Sequence, residues 1–159
     1  MLNKDSKILI VDDSESVRGM AAQFFVAKMG VPENNVVHAE NGALGFDEMA
    51  KQRFDLVFSD IEMPFMNGFE LTAKIRGHRQ FCTTPVLIAS AREFTDEEVR
   101  AEGVDAFCPK NGLYKNLGAA IERAVDHAAS LADKRLKTAS ESAPEVTKVV
   151  AESPIQPAL

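Results

Sequence analysis

Five short apolar runs alternate with longer amphipathic segments along the chain, and this alternation restricts the possible folds more than any other feature. Three of the runs, at residues 7–11, 55–59 and 85–90, are apolar on both faces and read KILIV, DLVFS and PVLIAS. Strands that are buried on both faces need helices above and below them, which is the arrangement of a parallel sheet. The other two runs, NVVHA at 35–39 and AFCPK at 106–110, are more mixed and suit edge strands.

The segments between the predicted strands have apolar residues at helical spacing. The apolar stripes are Val17, Met20, Ala21, Phe24 and Phe25 in the first helix, Leu44, Phe46 and Met49 in the second, Phe69, Leu71, Ala73 and Ile75 in the third, and Leu117, Ile121, Ala124, Val125 and Ala128 in the fifth. The fourth helix is short and runs from Asp96 to Ala101 after the cap-like Thr95. Five strand and helix pairs in 159 residues predict one α/β domain with a doubly wound, five-stranded parallel sheet and five helices.

The last part of the chain has a different composition. The fifth helix is predicted to continue through Leu131 to about Lys137, and from about Thr138 the sequence contains three prolines and few large apolar residues. We therefore predict a domain at residues 4–130, followed at 131–159 by a helix extension and a flexible C-terminal tail.

Charge, cysteine content and hydropathy restrict the partners and the compartment. The formal charge of −6, from 24 acidic and 18 basic residues, disfavours direct binding to nucleic acid. Cys82 and Cys108 have no CxxC partner, so reduced thiols are expected. His38, His78 and His127 have no partner at metal-ligand spacing and are expected at the surface or at a sheet edge. No apolar run approaches the ~20 residues of a membrane span, so we expect no membrane partner and predict a cytoplasmic protein.

Polar residues stand at the carboxyl ends of the predicted strands. Asp12 and Asp13 follow the first strand, Asp60 ends the third, Ser90 the fourth and Lys110 the fifth. Taken singly, each has an ordinary structural role as a helix cap, a turn former or a solvated edge residue. Because the carboxyl ends of the strands converge near the switch point of a doubly wound sheet, we expect these side chains to share one crevice.

Three carboxylates in one crevice repel each other, and proteins relieve such repulsion by protonation or by binding a cation. Oxygen ligands without histidine or cysteine select a hard metal such as Mg²⁺. A carboxylate beside Mg²⁺, with a lysine and a hydroxyl opposite, is arranged for phosphoryl transfer. The residues therefore predict that Asp60 is phosphorylated.

Four motifs, taken in their order along the chain, carry a family resemblance. They are ILIVDDS, DLVFSDIEMPFMNG, PVLIASA and DAFCPK, within roughly residues 4–128. The chain resembles the receiver domains of two-component response regulators, particularly the stand-alone chemotaxis type. The resemblance implies a flavodoxin-like fold with strand order 2-1-3-4-5 and a signalling protein that is activated when Asp60 accepts a phosphoryl group from a phosphohistidine. The implied partners are a sensor histidine kinase or a histidine phosphotransfer protein, and a downstream protein target.

The resemblance also implies roles for individual residues. Asp13 and Asp60 would ligate Mg²⁺ together with the main-chain carbonyl of Glu62, and Asp12 would act through water. Lys110 would pair with Asp60 or with its phosphoryl group.

A second set of residues would carry the switch. Ser90 would swing towards a phosphoryl oxygen, and Phe107 would follow it inward and change the face formed by the fourth helix, the fifth strand and the fifth helix. The protein would be a monomer or a weak phosphorylation-dependent dimer.

The sequence departs from the family pattern around the lysine. Many receivers have a proline after it in a cis peptide, whereas Asn111 follows Lys110 here, so we expect a trans peptide and a different loop. Ser90 takes the place of a more frequent threonine and keeps its hydroxyl. The interval from Ser90 to Lys110 is about two residues shorter than in the chemotaxis type, which leaves the choice of partner on that face open.

Glu62 and Arg92 flank the expected phosphoryl site, two positions after Asp60 and Ser90 respectively. Their opposite charges allow them to pair across the site. We hypothesise that this pair screens the attacking water and slows dephosphorylation, mainly by steric exclusion, because an exposed ion pair contributes only ~0–1 kcal/mol.

Other functions make different demands on the same residues. A phosphorylation-independent receiver-like module that only binds partners would be favoured by loss of Asp60, Asp13 or Lys110. A magnesium phosphatase of the aspartyl-nucleophile type would have a second aspartate where this chain has Glu62, and would need a cap for which there is no room. We therefore expect a phosphoacceptor that assists its own phosphorylation and dephosphorylation, not an enzyme.

A nucleotide or flavin binder would need a glycine-rich first turn, which DDSESVRG at 12–19 does not supply.

Overall fold

A sheet of five parallel strands lies at the centre of the protein, in a computed structural model that describes residues 2–142. The strands are β1 (Ile8–Val11), β2 (Val36–Ala39), β3 (Leu56–Asp60), β4 (Val86–Ser90) and β5 (Ala106–Pro109). The helices are α1 (Glu15–Met29), α2 (Gly42–Lys51), α3 (Gly68–Arg76), α4 (Asp96–Arg100) and α5 (Leu113–Ser142), and a 3₁₀ turn (Glu33–Asn35) precedes β2. The strand order β2-β1-β3-β4-β5 confirms the predicted doubly wound, flavodoxin-like fold.

Alternate residues of the central strands point to opposite faces of the sheet, and both faces are buried. In β1, Ile8 and Ile10 pack in the core between the sheet and helices α1 and α5. Leu9 and Val11 pack in a second core, between the sheet and helices α2 and α3. This two-sided burial is the reason why the central strands are continuous apolar runs in the sequence.

Side-chain caps set the start of four helices. Ser14 and Asn41 each accept a hydrogen bond from the backbone N–H three residues later, at the starts of α1 and α2. Asn67 and Thr95 form capping boxes with the glutamates three residues later, at the starts of α3 and α4. These side chains satisfy N–H groups that have no acceptor within the helix, so the short polar residues determine where each helix begins.

Three residues that were predicted to lie on apolar stripes are exposed instead. Met20 is 45% exposed, Leu44 is 46% exposed, and Ala73 is also exposed. On α2 the reason is the close approach of the helix backbone to the sheet. A Cβ at Gly45 would lie 2.9 Å from Val11 Cγ2, so glycine forms the contact surface and Leu44 faces outward. The stripe assignment was therefore wrong at these three positions.

Helix α5 is longer than predicted. It continues without a break to Ser142, whereas the composition predicted a tail from about Thr138. Within residues 2–142, no helix combines the length and the apolar character needed to cross a membrane. The predicted flexible tail after residue 142 lies outside the described residues, and the predicted domain boundary at residue 130 stays a prediction.

Asp105 collects polar contacts at the amino end of the sheet and is fully buried. Its Oδ2 accepts hydrogen bonds from Arg76 Nη2 and Val86 N, each at 2.8 Å. Its Oδ1 lies 2.8 Å from Arg135 Nη2 and 2.8 Å from His127 Nδ1. His127, which was expected at the surface or at a sheet edge, is half-buried against this carboxylate. The contacts hold α3, β4 and the extended part of α5 together.

Candidate functional site

The carboxyl ends of β1 and β3 bring two aspartates side by side. The strands are parallel neighbours with Val11 opposite Ser59, so Asp12 and Asp60 come next on the two strands. Asp12 is fully buried, Asp60 is 6% exposed, and Asp13 lies exposed at the rim. One carboxylate oxygen from each of these three residues lies within 4.8 Å of the other two. The structure thus brings together the three carboxylates that the sequence singled out.

Lys110 reaches this cluster from the end of β5. Its Nζ lies 2.9 Å from Asp12 Oδ2 and 3.2 Å from Asp60 Oδ1. Its backbone N–H donates to the Ser90 carbonyl at 2.9 Å, which fixes the point at which the side chain leaves the sheet. No cis peptide occurs within residues 2–142, so the bond to Asn111 is trans, as predicted. The departure from the family pattern therefore does not prevent the lysine from reaching the carboxylates.

The environment disfavours a negative charge on Asp60. Burial raises the pKa of its carboxyl and repulsion from Asp12 raises it further, while the nearby Lys110 ammonium opposes both without cancelling them. Burial alone would lower the pKa of Lys110, but its hydrogen bonds and ion pairs with Asp12 and Asp60 raise it. Three carboxylates against one ammonium leave a formal charge of −2 when all four groups are ionised. A divalent cation balances this charge, and the oxygen-only donor set suits a hard cation.

Two contacts around the cluster were not predicted. A Cβ at Gly68 would lie 2.1 Å from the Asp60 carbonyl oxygen, so only glycine allows the start of α3 to approach the end of β3. An Asn-Gly pair such as Asn67-Gly68 favours a turn, but it does not predict this close approach. Arg18 Nη1 donates to the Asp12 carbonyl from the first turns of α1, and no local pattern distinguishes this arginine from a solvated one.

Ser90 and Phe107 are both buried, at 2% and 5% exposure. The Ser90 Oγ accepts a hydrogen bond from the Arg92 N–H at 3.1 Å. The main chain of Phe107 is held by two helices, because its N–H donates to Asp96 Oδ1 at 2.9 Å and its carbonyl accepts from Arg123 Nη2 at 2.9 Å. The ring of Phe107 therefore lies inside the core, in contact with the helix layer that carries α3 and α4.

Glu62 and Arg92 form the predicted pair at the rim of the site. Arg92 Nη1 lies 3.3 Å from Glu62 Oε2, and both side chains are about two-thirds exposed. The effect of this pair on dephosphorylation stays a hypothesis. The roles of the Glu62 carbonyl as a metal ligand and of Asp12 as a group acting through water also stay predictions.

Comparison with known proteins agrees with this geometry. A family model described as the response regulator receiver domain matches residues 8–122. The chain is 32% identical over 112 residues to the chemotaxis protein CheY-3 of Vibrio cholerae, which covers 69% of this chain and 84% of that protein. It is 31% identical over 102 residues to the probable transcriptional regulator ycf29 of Pyropia yezoensis, covering 64% of this chain but only 43% of that longer protein.

Solved structures show the same similarity. The structure of the chemotaxis response regulator CheY4 of Vibrio cholerae superposes with a TM-score of 0.66 at 28% identity, over 75% of this chain and 98% of that one. The fold, the residues clustered at the strand ends and the match to the family model all indicate the same family. The chain belongs to the response regulator receiver domain family.

Proposed function

We propose that this protein is a phosphorylation-activated response regulator of a two-component system. In this proposal Asp60 accepts a phosphoryl group from a phosphohistidine with the help of Mg²⁺, and the phosphorylated protein changes a protein-binding face. The observation that carries the proposal is the contact of Lys110 Nζ with both Asp12 and Asp60, at 2.9 and 3.2 Å, beside the carboxylate of Asp13. A cation aimed at clustered carboxylates suits the transfer of an anionic group.

The transfer requires an ionised nucleophile and a fixed attack geometry. A carboxylate oxygen of Asp60 attacks the phosphorus of the donor, an O–P bond forms and the N–P bond breaks. The electron pair of the broken bond stays on the imidazole nitrogen. The Ile61 N–H donates to Asp60 Oδ1 at 2.8 Å, and Lys110 also contacts this atom, so Oδ2 is left to attack. Lys110, whose raised pKa keeps it charged, attracts the transferred oxygens.

Mg²⁺ fits the oxygen-only cluster and, when bound, neutralises charge on the carboxylates and on the phosphoryl oxygens. We assign Asp13, Asp60 and the main-chain carbonyl of Glu62 as its ligands, with Asp12 acting through water. The exposure of Asp13 supports this assignment because one side of the cluster is open to solvent.

The change of the binding face begins at Ser90 in this proposal. Its hydroxyl moves to donate to a phosphoryl oxygen. The sequence predicted that Phe107 would follow Ser90 inward, but its ring is already buried in this structure, at 5% exposure, so in this proposal it holds that position as the surface of α4, β5 and α5 changes. The buried positions of both side chains support this role, because a change in either one must be accommodated by its packed neighbours.

Receiver domains of this kind interact with histidine kinases and with downstream targets. We propose a sensor histidine kinase or a histidine phosphotransfer protein as the phosphodonor here, and a protein as the target. We place the exchange in the cytoplasm, with the regulator a monomer or a weak phosphorylation-dependent dimer. The net charge of −6 argues against nucleic acid as a direct partner. The chemistry is limited to the phosphorylation and dephosphorylation of the protein itself, so we propose no enzyme activity on a separate substrate.

The alternative, a phosphorylation-independent module that only binds partners, is not favoured. It would be expected if the acceptor or its charged neighbours were replaced. Asp13, Asp60 and Lys110 are all present, and the fold brings them together.

The proposal is tested by intact-protein mass spectrometry after incubation with acetyl phosphate, with and without Mg²⁺. We expect a single added phosphoryl group on the wild type that requires Mg²⁺ and is lost in Asp60→Asn. Asp47→Asn, which changes an exposed carboxylate on α2, is the matched control and should be phosphorylated like the wild type. No adduct on the wild type, together with no binding of beryllofluoride, would overturn the proposal and favour the phosphorylation-independent module.

A further inference from the structure

Phe94 lies in the loop between β4 and α4 and joins two parts of the molecule through ring contacts. Its centroid is 5.7 Å from that of Phe107 and 6.1 Å from that of Phe69, and both pairs are close to edge-to-face. The guanidinium carbon of Arg92 lies 5.2 Å from the Phe94 centroid, and the same guanidinium pairs with Glu62. The half-buried ring of Phe94 therefore contacts both the rim of the phosphoryl site and the proposed switch residue.

The loop that carries Phe94 is anchored at both ends. At its start, the Ser90 Oγ accepts a hydrogen bond from the Arg92 N–H at 3.1 Å. At its end, Thr95 caps α4 by a capping box. Only residues 91–94 lie between Ser90 and Thr95. A movement of Ser90 must therefore be taken up within this short segment, to which the ring of Phe94 belongs.

Phe107 is fixed through its main chain, so its ring position depends on rotation of the side chain. Asp96 and Arg123 hold its N–H and its carbonyl, and they pair with each other at 2.7 Å between Oδ2 and Nε. Burial alone would raise the pKa of Asp96, but the hydrogen bonds from Arg123 and Phe107 lower it. The Asp96 carboxylate therefore stays ionised and keeps its ion pair with Arg123. With the main chain held in this way, the inward ring of Phe107 packs against Phe94.

We propose that Phe94 is a positioning residue that couples Ser90 to the inward ring of Phe107. The ring of Phe94 stabilises the inward Phe107, and the loop on which it lies controls the position of the Ser90 hydroxyl. Because coupling between two positions is reciprocal, a contact that favours the inward ring also raises the affinity of the acceptor site for a phosphoryl group. This inference rests on the proposed function and adds a residue outside the predicted pair of Ser90 and Phe107.

A double-mutant cycle on the binding of beryllofluoride, a phosphoryl mimic, tests the coupling. The titration is followed by NMR of the ¹⁵N-labelled full-length protein in the presence of Mg²⁺. We expect Phe94→Leu to weaken the apparent affinity by about 2- to 10-fold, the factor that corresponds to one aromatic pair. Ser90→Ala removes the hydroxyl that the loop positions, so Phe94→Leu in that background should weaken binding by less than about 2-fold.

Two further variants separate coupling from a loss of packing. Phe46→Leu is the matched control, because Phe46 is a half-buried ring on α2 that packs edge-to-face against Phe81 at 5.7 Å. It should lower the thermal stability to a similar extent as Phe94→Leu but keep the wild-type affinity. Phe94→Tyr retains the ring and should keep the affinity within about 2-fold. If Phe94→Leu does not fold, Phe94→Met takes its place in the cycle.

The possible results distinguish this inference from the proposed function. Wild-type or tighter binding by the folded Phe94→Leu variant, or by Phe94→Met where it takes its place, would overturn the coupling, as would equal losses in the wild-type and Ser90→Ala backgrounds. Binding by the wild type that is lost in Asp60→Asn supports the proposed function whatever Phe94 does. Failure of the wild type to bind beryllofluoride would overturn the proposed function and this inference together.

Discussion

The ammonium of Lys110 lies 3.2 Å from Oδ1 of Asp60, so the end of β5 supplies a cation to the end of β3 across the intervening strand β4. This contact lowers the pKa of Asp60 but does not outweigh burial and the repulsion from Asp12, which raise it. The negative charge of the Asp60 carboxylate is therefore disfavoured at this position, and binding of a further cation would stabilise it.

Asp60→Asn should stabilise the metal-free protein at neutral pH, because it removes a carboxylate whose charge is disfavoured by burial and by repulsion from Asp12. The unfolded chain loses the Asp60 proton near the ordinary pKa of 3.8, whereas the folded protein loses it at higher pH. The wild type therefore loses stability as the pH rises from 3.8 through the raised pKa, and the loss persists above it. Urea denaturation in EDTA across this pH range measures the difference, with Asp47→Asn as the control. A variant less stable than the wild type at neutral pH would contradict the electrostatic account.

Replacing both Glu62 and Arg92 by alanine should shorten the lifetime of the phosphorylated protein. The pair is exposed and its side chains meet at 3.3 Å at the rim, so its removal opens a path for water. Because the screening is mainly steric, the effect depends on the barrier to attack by water, and a fall of ~1 kcal/mol in that barrier shortens the half-life about 5-fold. The decay of the phosphorylated mass after removal of acetyl phosphate gives the half-life. Glu93→Ala, at an exposed neighbour, should leave it unchanged, and an unchanged half-life in the double variant would refute the screening hypothesis.

Arg135→Ala should lower the free energy of unfolding by about 2–3 kcal/mol. Arg135 pairs with Asp105, which is fully buried, and its loss leaves that carboxylate with Arg76 as its remaining arginine partner. Urea denaturation measures the loss, and the exposed neighbour Lys134, changed to alanine, is the control. A chain that ends after residue 130 should show at least the same loss. If Arg135→Ala is as stable as the wild type, the ion pair of Arg135 with Asp105 does not stabilise the domain.

Phe65→Gly should be more stable than Phe65→Ala by about 0.5–1 kcal/mol. Phe65 has a φ of 72°, and the Pro64 carbonyl accepts a hydrogen bond from Met66 N at 2.8 Å across it. A side chain at this φ is strained, and glycine removes the strain. Thermal unfolding of the two variants tests this. At Glu62 in the same loop, where φ is not positive, alanine should be the more stable of the two replacements.

Local patterns were sufficient for most of the fold and for the composition of the site. The apolar runs predicted the five strands, on the argument that a strand buried on both faces is apolar throughout. Strand β1 confirms this argument, because Ile8 and Ile10 are buried on one face of the sheet and Leu9 and Val11 on the other. The strand-end residues were found in the same way, because parallel strands place their carboxyl ends at one edge of the sheet.

Contacts between distant segments were not predictable from local patterns. In the sequence, Asp105 is recognisable only as the first residue of the DAFCPK motif, and its partners Arg76 and Arg135 lie 29 and 30 positions away. The inward packing of Phe107 against Phe94 and the close approach of Gly68 to Asp60 likewise depend on how the elements are arranged in space.

The sequence by itself thus determined the succession of strands and helices along the chain, the cap at Thr95, and the carboxylates and lysine that share the site. These depend on periodicity, on the backbone preferences of single residues and on the rule that parallel strands end at one edge. Only the tertiary structure decided how far α5 is held against the domain, which buried charges are balanced, and which ring packs against Phe107. The physical reason is that these features depend on distances between remote segments, which no local pattern encodes and which packing fixes only when the whole chain has folded.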